Sequence, residues 1–164
     1  MPTDLHIRRV AAGDWPATME IQAQAYTFGM REEEAVLRSK AAQSPQTCLV
    51  AQRANREIVA YILAHSFPVG EWPQLGVISA LSGSCQNLFV HDLAVLPSAA
   101  GQGIGGQMME HVMRLATELG FSSMSLVAVQ NAAGFWRKQG FESVGQPSPE
   151  KGYDESACLM TKPL

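Results

Sequence analysis

The chain has 164 residues, 46% apolar and 16% charged, which describes one globular domain over 1–164 and excludes a disordered polypeptide. A formal net charge of -3 excludes a general attraction to nucleic acid or to an anionic membrane surface. Cys48, Cys85 and Cys158 are odd in number, widely spaced and without a CxxC pair, so they read as reduced, buried thiols.

The opening "MPTDLHIRRV" lacks the apolar core of a signal peptide, and no run approaches the roughly 20 apolar residues of a membrane span. A soluble cytoplasmic protein is the expectation. "LHIRRV" (5–10) alternates like a first strand. Asp14 is placed to cap a helix that starts at Trp15-Pro16, with Met19, Ile21, Ala25 and Tyr26 on one face. "REEEAVLRSKAAQ" (31–43) opens on three glutamates and carries its basic residues later, the charge order that a helix dipole favours. "QTCLVAQR" (46–53) and "EIVAYILAHSF" (57–67) flank Ala54-Asn55-Arg56 as a hairpin.

A Pro/Gly/Ser-rich stretch from 68 to 86 follows, with Trp72 and the short apolar segment "LGVISAL". It is long for a loop inside a domain, and such insertions are often functional. "NLFVHDLAVLP" (87–97) is a strand ended by proline. Ile104, Met108, Val112, Leu115 and Leu119 then space as one helical stripe, with Met108, Met109 and Met113 as core fillers and Gly120 as the stop. "SSMSLVAV" (122–129) is a strand, Asn131–Gln139 a short helix, and 140–146 and 156–162 the last two strands. The order β-α-α-β-β-β-α-β-α-β-β is an α/β mixture with antiparallel hairpins.

Between the strand at 87–97 and the helix that follows, "PSAAGQGIGGQMM" concentrates glycines at 101, 103, 105 and 106. A strand end, a glycine turn and a helix N-terminus together present unpaired N–H groups to an anion. Gly101, Gly103 and Gly106 satisfy GxGxxG. The acidic residue that a dinucleotide site needs about 20 positions on is missing, because that region reads "FSSMSLVA". A triphosphate loop is excluded by the lack of Gly-Lys-Ser/Thr. A tight strand–helix turn with no ligand is the reading that glycine density alone leaves open.

"LAVLPSAAGQGIGGQMM" followed by "LVAVQNAAGFWRKQGF" resembles the acetyl-CoA-binding half of the GNAT superfamily of N-acetyltransferases, over roughly 87–142. The resemblance implies a central mixed, mostly antiparallel, twisted sheet flanked by helices, with the strands at 87–97 and 122–129 splayed apart. It implies an enzyme that transfers the acetyl group of acetyl-CoA to a primary amine by direct attack in a ternary complex. The acceptor would be a small molecule or a peptide, and a homodimer would fit the family. The loop Gly101–Gln102–Gly103–Ile104–Gly105–Gly106 would hold the pyrophosphate through its amides. The segment Leu93–Ala94–Val95 would pair with the pantetheine arm as an added strand, with the Val95 N–H offered to the thioester oxygen. Asn131 matches a side chain that contacts pantetheine.

Two positions depart from the pattern. Ala100 stands where the signature has Gln or Arg. Trp136 stands where many members have a Tyr that protonates the departing thiolate, and an indole N–H is no comparable acid. Trp136 is then expected to pack on the cofactor arm. A non-catalytic acyl-CoA-binding or sensing domain is the alternative that this departure supports.

His91 and Asp92 are the candidate bases. In a regular strand they face opposite ways, so only a bulge lets both reach one cleft, and His91 shares parity with Leu93 and Val95. His91 matches a histidine position that some family members use to help deprotonate the amine, and imidazole suits that task near neutrality. Tyr26, Phe28, Glu71 and Trp72 fall where the family places acceptor-binding segments, although a packing or surface role is the simpler account of each. His6, His65 and His111 have no metal-ligand spacing with the cysteines, so no metal is expected.

Overall fold

The β-branched runs around Ala54-Asn55-Arg56 pair as anticipated. In the computed structural model, which describes residues 4–78 and 85–164, Cys48–Arg53 (β2) and Ile58–Ser66 (β3) form an antiparallel hairpin. Arg56 turns it at φ +71°, and Asn55 Oδ1 accepts the Glu57 N–H at 3.0 Å. Leu5–Arg9 (β1) adds to one side and Asn87–Val95 (β4) to the other, both antiparallel. Ser123–Ala128 (β5), Glu142–Gly145 (β6) and Cys158–Pro163 (β7) complete one seven-stranded sheet in the order β1-β2-β3-β4-β5-β7-β6. Among the described residues its one parallel pairing is β4 with β5.

Eight of the nine β3 residues are buried because this strand lies between helices on both faces. Tyr61 and Leu63 pack with Trp15, Ile21 and Leu37 from Trp15–Ala25 (α1) and Glu34–Gln43 (α2). Ala60, Ile62 and Ala64 pack with Met108, Met109 and Val112 from Ile104–Glu118 (α3) and with Trp136 from Ala133–Lys138 (α4). The buried stripe of α3 runs through Ile104, Met108, Met109, Val112 and Ala116, while Leu119 is exposed. Leu119 falls on the same side of the helix but lies past its last residue, at the C-cap, where the chain leaves the core.

Two local expectations are corrected. Asp14 precedes α1 without capping it; its carboxylate accepts from the Arg8 guanidinium at 2.7 and 2.9 Å and from the Ala11 N–H at 2.7 Å. The helix expected from Asn131 starts at Ala133, because Gln130 and Asn131 adopt left-handed φ of +51° and +63°. In the 68–86 stretch, residues 79–84, which take in the last three residues of the apolar segment "LGVISAL", lie outside the described residues.

The feature that positions the site is the parting of β4 and β5. They pair only from Asn87↔Ser123 to Val90↔Leu126. Beyond that point β4 stays with β3 as far as Val95↔Ala60, and β5 stays with β7 as far as Ala128↔Cys158. The buried Asn87 side chain ties the root of the split, donating to Ser125 Oγ and accepting from Ser123 Oγ, both at 2.8 Å. Among the described residues no helix is long and apolar enough to cross a membrane.

Candidate active site

A cleft of about 510 Å³ fills the split between β4 and β5. It brings together His91, Asp92, Leu93, Ala94, Val95, Gly101, Gly103, Ile104, Gly105, Gly106 and Trp136. Gln102 and Asn131 lie outside its lining. The Gln102 side chain accepts from Arg53 Nη2 at 2.8 Å, and the Asn131 N–H is given to Ser156 Oγ at 3.2 Å. Gln130, one residue earlier, lines the cleft and spans its mouth: its amide donates to the Ala25 carbonyl and accepts the Thr27 N–H.

A β-bulge decides which way the candidate bases face. Ala64 pairs with Val90 and Leu63 with Asp92, so His91 is the extra residue of β4. Before the bulge, Leu88 and Val90 pack on the α3 face; after it, Leu93 and Val95 do. The extra residue turns both His91 and Asp92 to the opposite face, toward α1 and α2. There His91 meets Glu32 and the Phe89 ring, and Asp92 meets Tyr61. The expected parity of His91 with Leu93 and Val95 is therefore overturned, and the two candidate bases share a side.

His91 is held by a carboxylate that the sequence pattern hid. Its Nε2 lies 2.6 Å from Glu32 Oε1, and the two side chains are 1% and 4% exposed. Nδ1 of His91 is buried with no hydrogen-bond partner among the described residues. The other Glu32 oxygen accepts the Gly76 N–H at 2.8 Å. The Glu32 main chain is clamped in both directions by the Gln22 amide at 2.9 Å. Burial pushes the Glu32 carboxyl up, but His91, the Gly76 amide and Lys40 together outweigh it and hold it below its ordinary value. The run of glutamates at 32–34 has the pattern of a helix start; α2 begins only at Glu34, which frees Glu32 to point inward.

Asp92 is pushed up to about 6, chiefly by burial, with His91, Tyr26 and Tyr61 opposing. Its Oδ2 accepts from Tyr61 Oη at 2.5 Å, while Tyr26 Oη donates to the Leu93 carbonyl at 3.0 Å. A carboxyl whose folded pKa lies above its unfolded value costs stability once it ionises. That cost grows as pH rises from about 4 to 6 and is complete above. Asp92→Asn keeps an acceptor for Tyr61, so it is expected to raise Tm by a few degrees at pH 8, and by less at pH 4.5, in thermal unfolding. An equal gain at both pH values would contradict a buried, ionised Asp92.

The glycine loop behaves as its composition implies. Gly101 and Gly103 take φ of +79° and +76°, which other L-residues rarely adopt. Gly103 precedes α3 with no side-chain cap, and the first intrahelical bond is Gln107 N–H to the Gly103 carbonyl. The N–H groups of Ile104, Gly105 and Gly106 thus have no acceptor within α3 and meet the cleft at the positive end of the helix. A Cβ on Gly105 would make ordinary contact with the Phe135 ring, at 3.4 Å. This is a cradle for an anionic group, with no side chain of its own in the way.

Trp136 is 7% exposed and stands edge-on to Phe135 and Phe141, with centroids 4.9 and 5.7 Å apart. It is a wall of the cleft. Trp136→Phe is expected to retain most of kcat, whereas Trp136→Ala should cost ~3–5 kcal/mol of stability and weaken CoA binding. A thousandfold loss of kcat in Trp136→Phe with unchanged binding would exclude a packing role.

Of the acceptor-side candidates, Tyr26 lines the cleft and Phe28 is 84% exposed outside it. Glu71 and Trp72 line a separate pocket of about 410 Å³ with Lys151. Tyr153, which the sequence did not single out, closes the cleft and donates to the Pro73 carbonyl at 2.8 Å. Among the described residues no group of His, Cys, Asp and Glu is arranged to hold a metal ion.

The profile of the acetyltransferase (GNAT) family matches residues 15–141. The fold is similar to Ard1 from Thermoplasma volcanium, at 17% identity and a TM-score of 0.75, covering 98% of both chains. It is similar to the ribosomal-protein-S18-alanine N-acetyltransferase of Escherichia coli, at 18% identity and a TM-score of 0.67, covering 97% of this chain and 93% of that one. It is also similar to the PaiA N-acetyltransferase from Thermoplasma acidophilum in complex with coenzyme A. That match has 16% identity and a TM-score of 0.70, covering 98% of this chain and 99% of the other.

Proposed function

Because the chain belongs to the acetyltransferase (GNAT) family, we propose that it transfers the acetyl group of acetyl-CoA directly to a primary amine in a ternary complex. The observation that carries this reading is the Glu32–His91 pair at the wall of the β4–β5 cleft, opposite the uncapped start of α3. The N–H groups of Ile104, Gly105 and Gly106, which have no acceptor within α3, fit a pyrophosphate. Leu93, Ala94 and Val95, whose strand has lost its β5 partner, fit the pantetheine arm. Acetyl-CoA supplies an activated thioester carbonyl.

This chain's residues then manage protons and position. An alkylammonium with a pKa of ~10.4 is neutral in only about one molecule in a few thousand at pH 7, so a base is needed before its nitrogen can attack. With the Nε2 proton held by Glu32, His91 takes the ammonium proton at Nδ1, directly or through one water. Glu32 stabilises the resulting imidazolium and fixes its ring. The amine nitrogen forms the new C–N bond, the C–S bond breaks, the electron pair leaves with sulfur, and the second proton of the nitrogen passes to water or to the departing thiolate. Trp136 provides no proton there, so CoA departs as thiolate or is protonated by water. Asp92, tied to Tyr61, shapes the bulge rather than accepting the proton.

Amine-dependent release of CoA thiol, with the acetylated amine identified by mass spectrometry, tests the proposal. Release with at least one amine is the expected result. Tight acetyl-CoA binding with no release across a broad amine panel would make this a non-catalytic acyl-CoA-binding domain instead.

A further inference from the structure

The acceptor end of the cleft combines two carboxyl groups, a largely apolar wall and, besides the His91 that Glu32 already holds, no basic side chain. From this we infer that the acceptor is a primary amine on an apolar body, with no carboxylate beside the reacting nitrogen. The inference rests on the transferase reading above. Glu32 and Asp92 supply the acid, and Tyr26, Met30, Leu75 and Tyr153 the apolar wall.

No Lys or Arg lines the cleft among the described residues. The sequence explains why: from Glu57 to Met113 the chain contains neither. β4, the glycine loop and the whole of the 68–86 stretch therefore bring no cation to this end. The basic residues of the α1–α2 side are already engaged. Arg31 donates to the Ala23 and Tyr26 carbonyls at 2.6 and 3.0 Å and lies over the Phe28 ring. Lys40 is 2% exposed and donates to the Val77 carbonyl at 3.2 Å.

An ammonium entering this pocket meets favourable charge from Glu32 and Asp92. A carboxylate on the adjacent carbon would instead be stripped of water beside those two acids with no Lys or Arg to pair it and with His91 already engaged by Glu32, which is costly. A second ammonium, as in a polyamine, would have to rest on Met30, Leu75 and Tyr153, equally unpaired. An apolar body meets no such penalty. The apolar character continues outward, since Val77 and Ile78, which directly follow the Gly76 held by Glu32, are 48% and 61% exposed.

The test uses matched pairs on the full chain: phenethylamine against phenylalanine, isoamylamine against leucine, with spermidine as the polyamine. A peptide amide starting with phenylalanine separates a protein N-terminus from a free amine as the source. Binding to the CoA-saturated protein is measured by calorimetry, and transfer from acetyl-CoA by product mass. Each amine should exceed its amino acid by about tenfold or more in affinity and in kcat/KM, with spermidine behind both amines. Leu75→Arg should shift the phenethylamine-to-phenylalanine ratio toward the amino acid by about fivefold or more. Amines that bind in this order without being acetylated would uphold the acceptor class and overturn the transferase reading. Equal or better binding of phenylalanine, preference for spermidine, an unmoved ratio in Leu75→Arg, or no binding of any pair would overturn the acceptor class.

Discussion

His91→Ala is expected to lower kcat/KM by ~10²-fold or more near neutral pH, with acetyl-CoA affinity unchanged. The deficit should shrink as pH rises, because the amine then loses its proton unaided. Cofactor affinity should hold because the contacts proposed at Leu93 and Val95 are main-chain. Glu32→Gln is expected to fall between wild type and His91→Ala, since the amide oxygen still accepts from Nε2 but no longer stabilises an imidazolium. Nitrogen-15 NMR of the imidazole should show the Nε2–H tautomer in the wild type and a mixture in Glu32→Gln. Asp92→Asn should stay within about tenfold of wild type. The measurement is a set of pH–rate profiles with one good acceptor, alongside acetyl-CoA titrations. A parallel loss at every pH in His91→Ala would make the histidine structural, and a larger loss in Asp92→Asn would make Asp92 the base.

Gly105→Asp should separate folding from cofactor binding. Gly105 is the second residue of α3, its Cβ would make ordinary contact with Phe135, and its φ is not left-handed. A carboxylate in the first turn favours the helix dipole by ~0.3–1 kcal/mol, so Tm should be unchanged or slightly raised. The same carboxylate would occupy the space and the positive potential assigned to the pyrophosphate. Acetyl-CoA affinity is therefore expected to drop by at least ~10²-fold in calorimetry. Gly103→Asp would lose binding too, but its left-handed φ of +76° makes strain an added cause. Unchanged binding in a folded Gly105→Asp protein would remove the cofactor assignment.

The sequence carried the element order in full, because each strand and helix has its own local signal: alternation in Leu5–Arg9, β-branching in Ile58–Ser66, the stripe from Ile104 to Val112. The glycine loop was legible for the same reason, since left-handed turns leave a compositional mark. The direction of His91 was not. It depends on one extra residue between Val90 and Asp92 in the pairing with β3, and a bulge in an apolar strand has no fixed composition. Glu32 was hidden by its neighbours: "REEE" reads as a helix start, and only the long-range clamp from Gln22 reveals which glutamate turns inward. Gln130 shows the same limit, since its role comes from a left-handed backbone at a non-glycine residue and from partners more than 100 positions away.

The most direct measurement is a crystal structure of the protein with CoA and phenethylamine, or with a bisubstrate analogue joining them. The pyrophosphate is expected on the N–H groups at Gly103–Gly106, the pantetheine arm between Leu93–Val95 and β5, and the amine nitrogen within hydrogen-bond reach of His91 Nδ1, directly or through one water. CoA bound elsewhere, or an amine nitrogen placed against Asp92 with His91 turned away, would contradict it.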